Sequence, residues 1–247
     1  PYRDLINRWD LTKKDPDAEL SEPVEPIVWW IENTTPVELR ETIKEGALAW
    51  NQSFEKAGFK NAVQVQVQPD DAEWDAGDIR YNVLRWTSSP QPPFGDYGPS
   101  FTNPRTGQII GSDIMLEFVF LTNRVRLEDI LAAIAGGKAV ETTGDNAIYC
   151  SQGHNLQMSS IFGVQALKIM GASSGRQGQL LNEGLQSLIL HEIGHTLGLN
   201  HNMKASQTFT IDQLADAAFV AENGLTGSVM DYAPVHLTSL GQQQAGF

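Results

Sequence analysis

The chain is short of cysteine, of basic charge and of long apolar runs, and each shortage closes off a class of function. A single cysteine, Cys150, in 247 residues excludes an intrachain disulfide and any metal site built from clustered thiolates. A metal here would be held by histidine and carboxylate. Seventeen Lys and Arg against thirty Asp and Glu leave a net charge of -13. Such a surface is repelled by phosphate backbones and anionic lipid, which argues against nucleic acid as a partner. No apolar run approaches the ~20 residues that cross a bilayer, and the longest candidates, such as Ile109 to Leu121, contain Asp113 and Glu117. No membrane insertion is expected. Neither an initiator Met nor an apolar signal segment stands at Pro1, which reads as a processed product or a piece of something longer.

What is present is ordinary for a globular protein: hydrophobic residues are 41% and charged residues 19% of the chain. The length suits one domain, or one domain split by a cleft. The first 26 residues, with Asp15-Pro16-Asp17 and Ser21-Glu22-Pro23-Val24-Glu25-Pro26, read as an arm laid over the surface. Ile27 to Ile31 is a short buried-strand run in which one tryptophan ring faces the core and the other the arm. From Pro36 the apolar residues recur at helical spacing through Phe54, with Thr35 as cap and Gly58 as terminator. Val63, Val65 and Val67 alternate with glutamines as in a half-buried strand, and Asp78 to Thr87 and Ile109 to Phe120 are further strands. Helices are expected at 127–135, 156–172 and 180–197, with loop signals at Gly136-Gly137 and Ser173-Ser174-Gly175 between them. This order fits a twisted mixed sheet with a long helix on one face.

The chemistry is concentrated in His191-Glu192-Ile193-Gly194-His195-Thr196-Leu197-Gly198-Leu199-Asn200-His201. Residues four apart share a helical face, so His191 and His195 can aim both rings at one ion. Glu192, rotated by roughly 100°, stands beside that ion without needing to ligate it. His201 is ten residues beyond His191, and a continuous helix would carry it roughly 15 Å along the axis. The chain must turn, and Gly198 sits where glycine can end the helix and let His201 return as third ligand. Three imidazoles with an open fourth position describe one catalytic Zn2+, since structural zinc sites close all four positions. At this composition the five fixed positions would co-occur in roughly one random chain in 10⁵.

A second element, Ser228-Val229-Met230-Asp231-Tyr232, follows. Together the two resemble the signature of the metzincin metallopeptidases, a histidine-rich zinc motif followed by a Met-turn. The resemblance implies that Met230 packs beneath the zinc ligands and that Tyr232 ligates the metal at rest or hydrogen-bonds the oxyanion. Asp78 to Val83, Tyr97 to Phe101, Pro104 to Ile110 and Asp113 to Leu116 are similar to the third, fourth and fifth strands of a metzincin upper subdomain. Those segments, with Arg8-Trp9, Ser21-Glu22-Pro23 and His201-Asn202, resemble the catalytic region of large bacterial zinc-dependent metalloproteases.

On that resemblance the expected fold is α+β and metzincin-like. A twisted mixed five-stranded sheet and long helices form an upper subdomain, about 27–198, and a smaller, irregular lower subdomain, about 199–247, lies across a cleft. Residues 1–26 form the N-terminal arm. The implied activity is zinc-dependent endopeptidase action on extended peptides, with Glu192 as general base. Gly98, Ser100 and Phe101 would line the substrate strand, because an edge strand binds extended peptide through backbone hydrogen bonds. A peptide or protein substrate, further domains of a longer native chain, and a secreted, periplasmic or cell-surface location follow from the same resemblance.

Two other readings stay open at this point: a catalytically silent, zinc-stabilised peptide-binding module, and a zinc hydrolase acting on a non-peptide amide. His154 and His236 fall outside the signature and read as ordinary histidines, and Cys150 as a small buried thiol. The acidic stretch Asp70, Asp71, Glu73, Asp75 and Asp78 offers oxygens to calcium but contains no EF-hand loop, so it supports no specific Ca2+ site.

Overall fold

The structure, a computed structural model, describes residues 5–88, 96–117, 152–171 and 174–236. The element order is β1 (Arg8–Trp9), β2 (Ile27–Ile31), α1 (Val37–Leu48), α2 (Asn51–Lys56), β3 (Val63–Val67), β4 (Asn82–Thr87), β5 (Asp96–Tyr97), β6 (Ser100–Thr102), β7 (Gln108–Ser112), β8 (Ile114–Glu117), α3 (Gln152–Ile169), α4 (Ser174–Thr196), a 3₁₀ turn (Met203–Gln207), α5 (Ile211–Leu214) and α6 (Ala217–Asn223). The expected helix at 127–135 and Cys150 lie outside the described residues. Among the described residues no helix is long and apolar enough to cross a membrane.

Helices and a mixed sheet are both present, as expected. Five strands run in the order β3-β2-β4-β8-β5. The first four are mutually parallel, and β5 pairs antiparallel with β8 at the edge. β2 lies inside this sheet because Ile27, Trp29 and Ile31 are buried while Val28 and Trp30 are half-covered. Trp29 enters the core. Trp30 stands edge-on to Trp74 and Tyr81, with ring centroids 5.4 and 6.0 Å away.

Ile109 to Phe120 does not form one strand. Asp113 interrupts it: its Oδ1 accepts the Val83 amide at 3.1 Å, and the chain passes there from β7, in a three-stranded sheet β1-β7-β6, to β8 in the main sheet. Asn82 stitches the two sheets, donating to the Val28 carbonyl at 2.8 Å and accepting from the Ser112 amide at 3.0 Å.

The expected helix from Pro36 to Phe54 is divided at Ala49-Trp50 into α1 and α2. Thr35 does not cap it. Its own amide donates to the Glu32 carbonyl, and Pro36 takes the cap position with no side-chain bond. The arm is also more than a covering. Arg8–Trp9 pairs parallel with Gln108–Ile109, and Trp9 and Leu11 pack against the core.

The central helix α4 runs from Ser174, earlier than the glycines at 175 and 178 suggested. Its Leu185, Leu188, Ile189 and Ile193 are all buried against β2, β8, α1 and α3. Each such burial stabilises by roughly 1.5–3 kcal/mol, which fixes the rotation of the helix about its axis. Gly46 of α1 lets the two helices approach closely, since a Cβ there would lie 3.0 Å from the Ile189 Cβ.

Candidate metal centre

The rotation imposed by the core decides where the polar residues of α4 point. Glu192 lies one turn beyond Leu188 and one turn before Thr196, within the buried arc, and all three are essentially inaccessible. His191 and His195 flank that arc and project along one side. After Thr196 the chain turns at Gly198, whose φ of +91° suits glycine and not a larger residue. The turn is closed by Gly198 N–H donating to His195 O at 2.9 Å and Leu199 N–H to Gly194 O at 3.1 Å.

His201 is thereby returned to the helix. His191, His195 and His201 each offer a ring nitrogen within 4.8 Å of the others, and they form the metal-competent group found among the described residues. The Nε2 atoms of His195 and His201 are 3.0 Å apart. Two bonds of about 2.0–2.1 Å at a tetrahedral ion would separate their nitrogens by roughly 3.3 Å, so the spacing is close to that of two ligands of one zinc.

The Nδ1 atoms of His191 and His195 are held by backbone. His191 Nδ1–H donates to the Val229 carbonyl at 2.8 Å and His195 Nδ1–H to the Leu199 carbonyl at 3.0 Å. Each bond sets the tautomer that leaves Nε2 as the lone-pair donor to a metal. Burial, helped by the neighbouring His195 and His201, pushes His191 down to about 4, with only the Val229 bond acting in the other direction. A neutral imidazole is the form a metal needs. The residues present therefore fit a zinc ion.

The Met-turn lies beneath. Asp231 N–H closes it onto Ser228 O at 3.2 Å, and Asp231 accepts the Tyr232 amide at 2.9 Å and the Ser206 hydroxyl at 2.5 Å. Met230 is buried, with its sulfur against Gly194. Its carbonyl accepts the Asn202 amide at 2.9 Å, so the turn supports the chain beside His201 as well as the His191 ring. The Tyr232 hydroxyl lies 3.1 Å from His201 Nε2, and its ring centroid 5.5 Å from that of His191.

Of the expected substrate residues, Gly98 comes against Glu192: a Cβ there would lie 3.3 Å from Oε2 and 3.4 Å from the main-chain oxygen. Ser100 and Phe101 do not extend the edge strand. They belong to β6, paired with β7 in the other sheet, because the Ser112 hydroxyl and the Asp113 amide both donate to Pro99 O and redirect the chain. The Ser100 hydroxyl lies 3.3 Å from that of Ser112.

His236 stands outside the histidine cluster. In the acidic stretch, Asp78 is engaged by the Arg80 guanidinium, which lowers its carboxyl to about 2, and Asp75 accepts the Gly77 amide. Three supports escaped the sequence reading. Gly194 faces Met230 and Trp50, the Trp50 indole donates to Leu190 O at 3.1 Å, and the Trp9 indole donates to Thr196 O at 2.9 Å. Only Gly194 carries a local signal, as a glycine inside a helix at a cost of about 1 kcal/mol.

No curated protein and no solved structure matches the chain. Residues 173–247 match a family model described as Met-zincin. That segment spans the helix with His191 and His195, the Gly198 turn, His201 and Met230, and this match, together with the three imidazoles gathered on one point, supports a zinc metallopeptidase of the metzincin type.

Proposed function

We propose that the protein is a zinc-dependent endopeptidase that hydrolyses extended peptide or protein substrates. The observation that carries this reading is the convergence of His191, His195 and His201 beside a buried glutamate. A zinc ion held by the three histidines supplies Lewis acidity toward the scissile carbonyl and acidifies water toward neutral pH.

Glu192 acts as general base. Its carboxylate takes a proton from the attacking water and delivers it to the departing amine nitrogen. Its place on the core-facing arc of α4 holds it rigidly, so that proton transfer needs no reorganisation. The Tyr232 hydroxyl donates a hydrogen bond to the oxyanion as the carbonyl carbon becomes tetrahedral. An extended peptide pairs as a further strand along β5, where Gly98 lets the main chain approach Glu192 closely.

The segment after Gly198 forms the lower wall of the cleft, and the bulk of the chain before it the upper wall. Further domains of a longer chain and an extracytoplasmic location complete this reading, since a peptidase of this kind does least harm outside the cytoplasm.

Metal analysis joined to cleavage of a peptide library, wild type beside Glu192→Gln, tests it. Wild type should carry one zinc and cleave internal peptide bonds, while Glu192→Gln keeps the zinc and loses activity by several orders of magnitude. A Glu192→Gln protein that cleaves as well as wild type would refute the assignment. Turnover confined to non-peptide amides would move the enzyme to another hydrolase class.

A further inference from the structure

Two positive-φ glycines face one short segment of backbone. Gly107, at φ +77° in the turn between β6 and β7, leaves no room for a Cβ beside the Ile6 carbonyl; Gly198, at φ +91°, leaves none beside the Asn7 carbonyl. The arm therefore threads between the β6–β7 turn and the turn that carries the chain from His195 to His201, touching both. It is fixed on the sheet side by Arg8 N–H donating to Gly107 O at 3.1 Å and by the parallel pairing of Arg8–Trp9 with Gln108–Ile109. It is fixed on the helix side by the Trp9 indole N–H, which donates to the carbonyl of Thr196, the last residue of α4, at 2.9 Å. That carbonyl is one of the four that a helix end leaves without an intrahelical donor.

The same turn builds the metal centre. Gly198 lies between two ligands, the Leu199 carbonyl orients the His195 ring at 3.0 Å, and the Nε2 atoms of His195 and His201 stand 3.0 Å apart across it. A shift of Gly198 thus reaches both ligands at once. We propose that the segment Ile6 to Trp9 is a brace that sets the Gly198 turn and through it the relative placement of His195 and His201. Trp9 is a positioning residue of the centre. The inference rests on the zinc reading above and adds that metal affinity depends on a segment almost two hundred residues away in sequence.

The test uses the full chain as wild type, Trp9→Phe, Gly107→Ala and, as a control in the sheet, Val83→Ala, whose side chain is fully buried in β4. Zinc affinity is read by competition with a chromophoric chelator below every melting temperature, and Co2+ loaded in place of zinc reports ligand geometry through its visible absorption. Trp9→Phe keeps an aromatic ring and loses the N–H donor; it should weaken zinc about three- to tenfold and change the cobalt bands. Gly107→Ala, which pushes the arm from its far side, should do the same and decides alone if Trp9→Phe does not fold. Val83→Ala should lower the melting temperature while leaving affinity and bands unchanged.

Wild-type affinity and bands in the folded arm variants would overturn the brace, as would an equal loss of affinity in Val83→Ala. A wild-type protein that takes up no zinc would instead overturn the zinc reading on which the brace depends.

Discussion

Two glycines on one helix, Gly178 and Gly194, should respond oppositely to the same substitution. Both lie within α4, Ser174–Thr196. In a helix interior alanine is favoured over glycine by about 0.8–1.0 kcal/mol, so propensity alone predicts that both Gly→Ala changes stabilise. The surroundings differ. A Cβ at position 178 meets nothing within 4 Å, whereas at 194 it collides with the Met230 sulfur and lies 3.2 Å from Trp50 Cζ2 and 3.3 Å from Met230 Cε. A thioether can swing aside, but Met230 is only 2% exposed and so has packed neighbours on every side. Overpacking of this kind costs about 1–3 kcal/mol. The net expectation is a gain of up to about 1 kcal/mol for Gly178→Ala and a loss of about 1 kcal/mol for Gly194→Ala. At about 2–4 °C per kcal/mol for a domain of this size, their melting temperatures should differ by about 4–8 °C. Thermal unfolding followed by circular dichroism, on metal-free protein so that zinc does not contribute through mass action, gives the comparison directly. Zinc affinity should fall in Gly194→Ala only, because the Met-turn it displaces carries the Val229 carbonyl to His191 and the Met230 carbonyl to Asn202. If both variants melt above wild type, the packing of Met230 under the helix has been misread.

Three other outcomes are expected from the same geometry. Gly98→Val brings bulk within contact of the Glu192 carboxylate and the main-chain oxygen behind it, so kcat/KM should drop by at least tenfold with zinc content unchanged; undiminished turnover would remove Gly98 from the cleft. Tyr232→Phe should lower kcat about 10²-fold and alter zinc affinity much less, whereas loss of the metal itself would make the tyrosine chiefly a ligand. For His191 the folded imidazole sits near 4 against 6.5 ordinarily. The unfolded chain therefore binds a proton that the native protein does not between those values, and stability falls as pH drops through that window. The loss at its lower end is on the order of 3 kcal/mol. Urea midpoints of metal-free protein from pH 7 to 4.5 should descend more steeply than those of His191→Asn, and equal slopes would contradict the burial of the ring.

The metal ligands were legible because their placement is local. The i, i+4 pair needs only the helical period, and the return of His201 needs only a glycine where the helix must stop, so His191 to His201 carries its own geometry. Strand and helix positions were legible for the same reason wherever apolar period was strong, as in Ile27 to Ile31 and Val63 to Val67. Failures occurred where a distant partner overrode local preference. Ser174 and Gly175 read as loop, yet they are helical because the burial of Leu180 and Leu185 further along α4 favours an extra turn. The break at Asp113 depends on the amide of Val83, thirty residues away, and the change of sheet at Ser100 depends on Ser112. Neither could be read from its own segment.

The same division runs through the centre itself. The atoms that would touch the metal come from an eleven-residue stretch, but apart from the Leu199 carbonyl that holds the His195 ring, the groups that keep those atoms in place come from elsewhere. The Val229 and Met230 carbonyls, the Trp50 indole, the backbone beside Gly98 and the arm at Asn7 and Trp9 are contributed by four separate parts of the chain. A helix with the right histidines is therefore not yet a centre. With each ring able to rotate and the turn at Gly198 free to relax, ordering those groups would be charged against metal binding, whereas the folded supports have ordered them beforehand. It follows that substitutions in the supports should lower zinc affinity in graded steps, while those in the three histidines should abolish it. A series of affinities that separates into these two groups is the quantitative signature of a site whose donors are local and whose preorganisation is not.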